Sequence, residues 1–154
     1  MKSFAAASTL LLAAVSSVSA QEAHTLKLAP LRVTLDQHTK GATIDFTVQD
    51  NSGGAYTTCS YEWTLGAATS DWVLCTDKSF SFNFPTQIDD IENFKFLVGH
   101  WAPAPVGSVI AQAILNSHAG TPVYKCTDRA APIGLETDCE IVEGSDVIAQ
   151  PVKQ

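Results

Sequence analysis

The sequence predicts an all-β chain, a single-domain antiparallel β-barrel or sandwich held by two local disulfides. Three observations carry this expectation. Apolar side chains recur with a period of two, as in Thr43-Ile44-Asp45-Phe46-Thr47-Val48-Gln49 and Ser79-Phe80-Ser81-Phe82-Asn83-Phe84. That period places Ile44, Phe46 and Val48, and likewise the three phenylalanines, on one face of a half-buried strand. Turn signals punctuate the chain at roughly the 8–12-residue spacing of sandwiches and barrels. The cysteines number four, an even count that suits a disulfide framework in an oxidising compartment.

Composition narrows the class. The chain has 154 residues, 45% hydrophobic and 16% charged, too apolar for intrinsic disorder and too short for more than one ordinary domain. Sixteen acidic residues against nine basic ones give a formal net charge of −7. Nucleic acid and anionic membrane both require a basic face, so neither is expected as a partner.

The elements follow in order. Lys2 supplies a positive start, residues 4–15 are almost wholly apolar, and Val18-Ser19-Ala20 offers small side chains to a signal peptidase. Residues 1–20 therefore read as a signal peptide cut between Ala20 and Gln21, and 21–154 as one secreted, extracellular domain. The apolar run is well short of the roughly 20 residues that span a bilayer. Leu26-Lys27-Leu28 and Leu31-Arg32-Val33-Thr34-Leu35 alternate, but Pro30 interrupts them and marks an edge strand or a bulge. Asn51-Ser52-Gly53-Gly54 signals a hairpin turn. Further strands are expected at 56–64, 72–76, 94–101, 109–115, 123–126 and 138–142, with a short last one at Val147-Ile148. Residues 87–94 are the one helix candidate, and 21–25 and 150–154 read as frayed tails.

Cys59, Cys75, Cys126 and Cys139 permit three pairings. Cys59–Cys75 flanks an expected hairpin and Cys126–Cys139 flanks a loop of turn residues over 127–138, which favours the local pairing. Close Cys-x(2–4)-Cys pairs are absent, so neither a zinc knuckle nor a redox motif is expected.

Signals for chemistry are sparse. There is no Gly-x-Ser-x-Gly, no His-Glu-x-x-His and no glycine-rich phosphate loop. No catalytic residue, metal ligand or cofactor is expected. His24, His38, His100 and His118 have no second histidine within four residues, which excludes a local metal pair but not a spatial one. Each reads as a surface or hydrogen-bonded histidine, with His24 in the tail and His38 in a polar turn. Asp89, Asp90 and Glu92 form one acidic cluster, and Glu136, Asp138, Glu140 and Glu143 another; both read as solvated surface. Asp45 and Glu62 lie on polar strand faces that a barrel brings together. A guanyl-specific ribonuclease needs His, Glu and Arg on one sheet, and only Arg32 and Arg129 are available. Trp63 and Trp72 flank one expected turn and are placed against each other beside Cys59–Cys75. With Trp101, Tyr56, Tyr61 and Tyr124 they offer material for a sugar-stacking platform, though core packing is the commoner use of such rings.

The order Thr43-Ile44-Asp45-Phe46-Thr47, Cys59, Trp72-Val73-Leu74-Cys75 and Ser79-Phe80-Ser81-Phe82-Asn83-Phe84, followed by Cys126 and Cys139, resembles the Alternaria major-allergen-like family of secreted fungal proteins. The resemblance covers most of residues 26–148, with 86–125 alike only in character. It implies a single-domain β-barrel with two local disulfides on those cysteines. It also implies a non-enzymatic effector, elicitor or allergen at the plant–fungus interface, acting in virulence or host recognition. The partners so implied are a plant defence protein of the thaumatin-like class and a small flavonoid-type ligand. The family's best-known member joins two chains through an upstream cysteine that this sequence lacks, so a monomer or non-covalent dimer is expected. The alternatives from residue chemistry are a small secreted hydrolase, ribonuclease- or glycosidase-like, and a carbohydrate-binding module.

Overall fold

A computed structural model of the chain describes residues 24–104, 107–120 and 123–152. Ten strands form in order: β1 (Leu26–Asp36), β2 (Gly41–Asp50), β3 (Tyr56–Thr64), β4 (Val73–Leu74), β5 (Phe80–Asn83), β6 (Asn93–His100), β7 (Val109–Asn116), β8 (Tyr124–Ala131), β9 (Gly134–Ile141) and β10 (Val147–Pro151). Every pairing is antiparallel. The expected signal peptide and its Ala20/Gln21 cut lie outside the described residues.

Pro30 shapes the sheet. It has no N–H to give to a ladder, and the β1–β2 register shifts between Leu28 and Leu31. On its other edge β1 changes partner across the same break. Leu26, Lys27 and Leu28 pair with β10, while Arg32 through Asp36 pair with β9. The expected bulge is therefore the point where one strand hands its edge from one neighbour to the next.

The main path runs β3-β2-β1-β10-β7-β6-β5-β4, and its two ends meet. The Thr76 N–H donates to the Thr58 carbonyl at 3.0 Å, and the two threonine hydroxyls lie 3.1 Å apart. The Cys59–Cys75 disulfide crosses this seam, with 4.4 Å between its Cα atoms. The result is a nearly closed barrel with the β8–β9 hairpin attached along β1. Cys126–Cys139 joins two register partners within that hairpin, Cα atoms 3.9 Å apart. Both local disulfides are thus as expected.

The period-two residues fill the barrel. Leu26, Leu28, Leu31 and Val33 of β1 meet Ile44, Phe46 and Val48 of β2 across from Phe80, Phe82 and Phe84, all buried. Phe82 packs edge-on against Phe46, with ring centroids 5.1 Å apart, and against Phe84 at 5.8 Å. Burial of one such ring stabilises the fold by about 1.5–3 kcal/mol.

Four expectations need correction. Residues 87–94 form no helix; Ile88 and Ile91 turn inward from a bent loop, and β6 begins at Asn93. The loop expected over 127–138 is mostly strand, because β8 and β9 continue pairing up to Ala131 and Gly134. Neither described tail segment is frayed. At the C-terminal side Gln150 and Pro151 pair with β7 and the Val152 N–H bonds to Ile110. At the N-terminal side His24 is tied to Asp50 at 2.8 Å. Finally, Trp63 does not meet Trp72. Trp63 stacks on Tyr61 at 6.0 Å and turns into the core, while Trp72 stands edge-on to Trp101 at 5.1 Å on the surface.

Gly99 underlies that surface pair. A Cβ there would come within 2.3 Å of the Trp101 ring. Gly99→Ala is expected to push Trp101 off Trp72, abolish their coupled near-ultraviolet dichroism and cost about 1 kcal/mol, the typical worth of an aromatic pair. An unchanged spectrum would refute this placement of the rings. Cys75→Ala is expected to destabilise by about 3 kcal/mol, since it opens a loop of sequence separation 16 at the barrel seam. Thermal melting measures the loss, and peptide mass mapping checks the pairing.

Candidate functional site

The outer face of the β9-β1-β2-β3 sheet carries a groove of about 480 Å³. Its position follows from register. Lys125 pairs with Glu140, Glu140 with Arg32, Arg32 with Asp45 and Asp45 with Ser60. Paired residues point the same way, so these five side chains form one row across four strand junctions on the outer, exposed face. The groove runs over Arg32, Asp45, Ser60 and Glu140 of that row, with Pro30 at the bulge and Thr47, Thr58 and Thr76 beside it. A bulge bends its strand and increases local twist, which accounts for a hollow at this point of an otherwise convex wall.

Charges on this face are arranged in opposite-sign contacts. Arg32 donates through Nε to Asp138 Oδ1 at 2.7 Å and through a second nitrogen to Oδ2 of the same carboxylate. Arg129 reaches Glu136 at 2.5 Å and Asp138 at 3.3 Å. The hydrogen bonds from Arg32 hold the Asp138 carboxyl below its ordinary range, against the opposing effect of burial. The acidic run Glu136, Asp138, Glu140 occupies alternate positions of β9, so its members share one face, and the two available arginines answer them.

The other candidate residues are dispersed. Asp36 accepts N–H bonds from His38 at 2.8 Å and Thr39 at 3.1 Å, which places His38 in the β1–β2 turn. His118 lies exposed, 3.3 Å from Glu92. Asp90 accepts the Glu92 N–H at 2.8 Å, and Asp89 sits beside Gly66. Glu62 pairs with Thr43 in the row next to the groove. Trp72 and Trp101 are perpendicular, at 90°. A sugar ring stacks on parallel exposed faces, so this pair is not the coplanar platform a carbohydrate module requires.

Sequence reasoning missed a second polar site, at the end of the barrel where β1 begins and β2 and β6 finish. Asp50 is fully buried, and its Oδ2 faces His24 Nε2 at 2.8 Å and His100 Nδ1 at 2.6 Å. Its Oδ1 accepts the N–H groups of Ser52 at 2.7 Å and Gly53 at 3.3 Å. Burial pushes the Asp50 carboxyl up, but the bonds from the two histidines and Ser52 outweigh it and hold it below its ordinary range. The His100 ring lies flat on Phe80, centroids 3.9 Å apart and 2° from parallel. Asp50 stands immediately before the turn signal Asn51-Ser52-Gly53-Gly54, where a carboxylate caps its own turn. Nothing local points to His24 or His100, which lie 26 and 50 residues away from Asp50 in sequence.

The outer groove does contain two carboxylates, Asp45 and Glu140, on either side of Arg32. Their strands are two spacings apart, roughly 9–10 Å. Both side chains are open to solvent, and neither has the apolar seat that a glycosidase gives its proton donor. The Arg32 side chain rises between them, where an attacking water would stand in an inverting mechanism. The ribonuclease constellation fails as well, because His24 and His100 lie with Asp50 while Arg32 and Arg129 are engaged by Asp138 and Glu136.

No family model matches the chain, and no curated protein matches it. Among the described residues no helix is long and apolar enough to cross a membrane. The two disulfides suit an oxidising, extracellular environment.

The Asp138 contacts set a pH dependence. A carboxyl held low in the fold contributes stability above its unfolded value, near pH 4, and loses it as pH falls through the folded value. The melting temperature is expected to drop between pH 5 and pH 2. Arg32→Met is expected to flatten that drop, and equal slopes in both proteins would refute the assignment.

Proposed function

We propose that the protein is a secreted, non-enzymatic binding protein of the effector or elicitor type, and that the outer groove receives a small planar polyhydroxylated ligand of the flavonoid kind. The observation that carries this reading is the groove itself. Its volume of about 480 Å³ lies in the range of small-molecule sites. Its lining combines threonine methyls and the Pro30 ring with hydroxyls, two carboxylates and one guanidinium. Phenolic hydroxyls donate to Asp45 and Glu140, and a flat aromatic ring stacks on the Arg32 plane, which Asp138 already holds in place. The resemblance to the Alternaria major-allergen-like family supports the same class of ligand, and a thaumatin-like defence protein as the macromolecular partner. The charged start, apolar run and small-residue cut site of residues 1–20 support export.

Titration with a flavonol, followed by amide chemical shifts, tests the site. Shifts are expected on β1, β2, β3 and β9, and Ser60→Trp, which fills the groove from its rim, is expected to weaken binding at least tenfold without lowering the melting temperature. Absence of saturable shifts, or shifts confined to other faces, would refute the ligand reading. Infiltration of leaves and capture from apoplastic fluid test the host-facing part, and silence in both counts against an elicitor role.

A further inference from the structure

The geometry points to a metal site at the other polar cluster: His24, Asp50 and His100 form a three-ligand centre for a borderline divalent cation of the zinc type. The three contribute one ligand atom each, and these atoms all lie within 4.8 Å of one another. Two imidazole nitrogens and one carboxylate oxygen are a donor set that suits zinc or its neighbours. Hard cations such as Mg²⁺ and Ca²⁺ prefer shells of oxygen.

The supporting groups are already in place. Asp50 is turned by the Ser52 and Gly53 N–H groups on Oδ1, which leaves Oδ2 directed at both histidines. A second shell of this kind orients ligating carboxylates. His100 is fixed flat against Phe80. Its ring is almost wholly buried, whereas the His24 side chain is 21% exposed. His24 therefore sits on the solvent side, where a cation enters and where water completes an open fourth position.

The distances leave a small adjustment. Two ligands at about 2.1 Å from a tetrahedral ion are about 3.4 Å apart, against 2.8 Å and 2.6 Å for the two hydrogen-bonded pairs here. His24 precedes β1 and moves outward without disturbing a ladder. Both imidazoles bind as neutral ligands once the proton on each facing nitrogen has shifted to the other ring nitrogen. A bound ion would join the start of β1 to the ends of β2 and β6.

The test is calorimetric titration of zinc chloride into untagged, EDTA-treated protein, with magnesium and calcium chloride as controls. One zinc per chain is expected, with at least tenfold selectivity over both controls and a melting temperature that rises with zinc. His24→Gln keeps a hydrogen-bonding group beside Asp50 and is expected to lower zinc affinity at least tenfold, as is Asp50→Asn. The double variant His38→Gln/His118→Gln is expected to leave it unchanged. Should Asp50→Asn fail to fold, His24→Gln decides alone. Absence of saturable binding at millimolar zinc would overturn the site. So would binding that survives His24→Gln in full, or that disappears in the His38/His118 variant.

Discussion

A β-strand has two hydrogen-bonding edges, yet β1 serves three partners. It does so by spending two residues, Ala29 and Pro30, outside any ladder. Before the break its free edge belongs to β10, which continues the barrel toward β7; after it, the same edge belongs to β9 and the attached hairpin. The break separates the length of β1 that β10 takes from the length that β9 takes. Barrel closure, the β8–β9 arm and the outer hollow all descend from this single irregularity. The seam at the opposite side has weaker backbone support, an N–H bond from Thr76, just past β4, to Thr58 of β3, and there the covalent bridge Cys59–Cys75 supplies what hydrogen bonding does not.

The two polar sites differ in the way burial usually separates charge. On the outer face, carboxylates and guanidiniums are wet and answer one another in pairs, each worth little alone. At the barrel end, one carboxylate has lost all contact with solvent and is compensated by four hydrogen-bonding groups, two N–H groups of its own turn and two histidines. A buried, unpaired carboxylate would cost several kcal/mol, so the arrangement around Asp50 is a structural necessity before it is anything else. It also ties the residue ahead of β1 to the β2–β3 hairpin.

Much of the architecture was legible in the sequence. Strict alternation in Thr43–Gln49 and the three phenylalanines Phe80, Phe82 and Phe84 announced strands, because a two-residue repeat has no other economical solution. The cysteine pairing followed from hairpin proximity. What failed had physical reasons. Ile88 and Ile91 are spaced like a helix face, but eight residues cannot nucleate one while each isoleucine is claimed by the core. Strands β8 and β9 outran their apolar cores because Thr127 through Ala130 are exposed and offer no alternation to read. The groove was half-visible: Asp45 and Arg32 were on polar faces, but their adjacency depends on a register that only the bulge sets. The His24–Asp50–His100 contact was invisible, since it joins three strand ends through tertiary closure alone.

Strand β8 pairs with β9 only, and among the described residues its far edge has no strand beside it. Such a margin is a template on which another polypeptide extends a sheet, the first step toward fibrils. Here the margin carries Lys125, Asp128 and Arg129, all exposed, and any copy adding to it would have to desolvate both signs of charge at once. The scarcity of apolar side chains that hid the second half of this strand from sequence reading is therefore the same property that keeps the protein from polymerising through this open border.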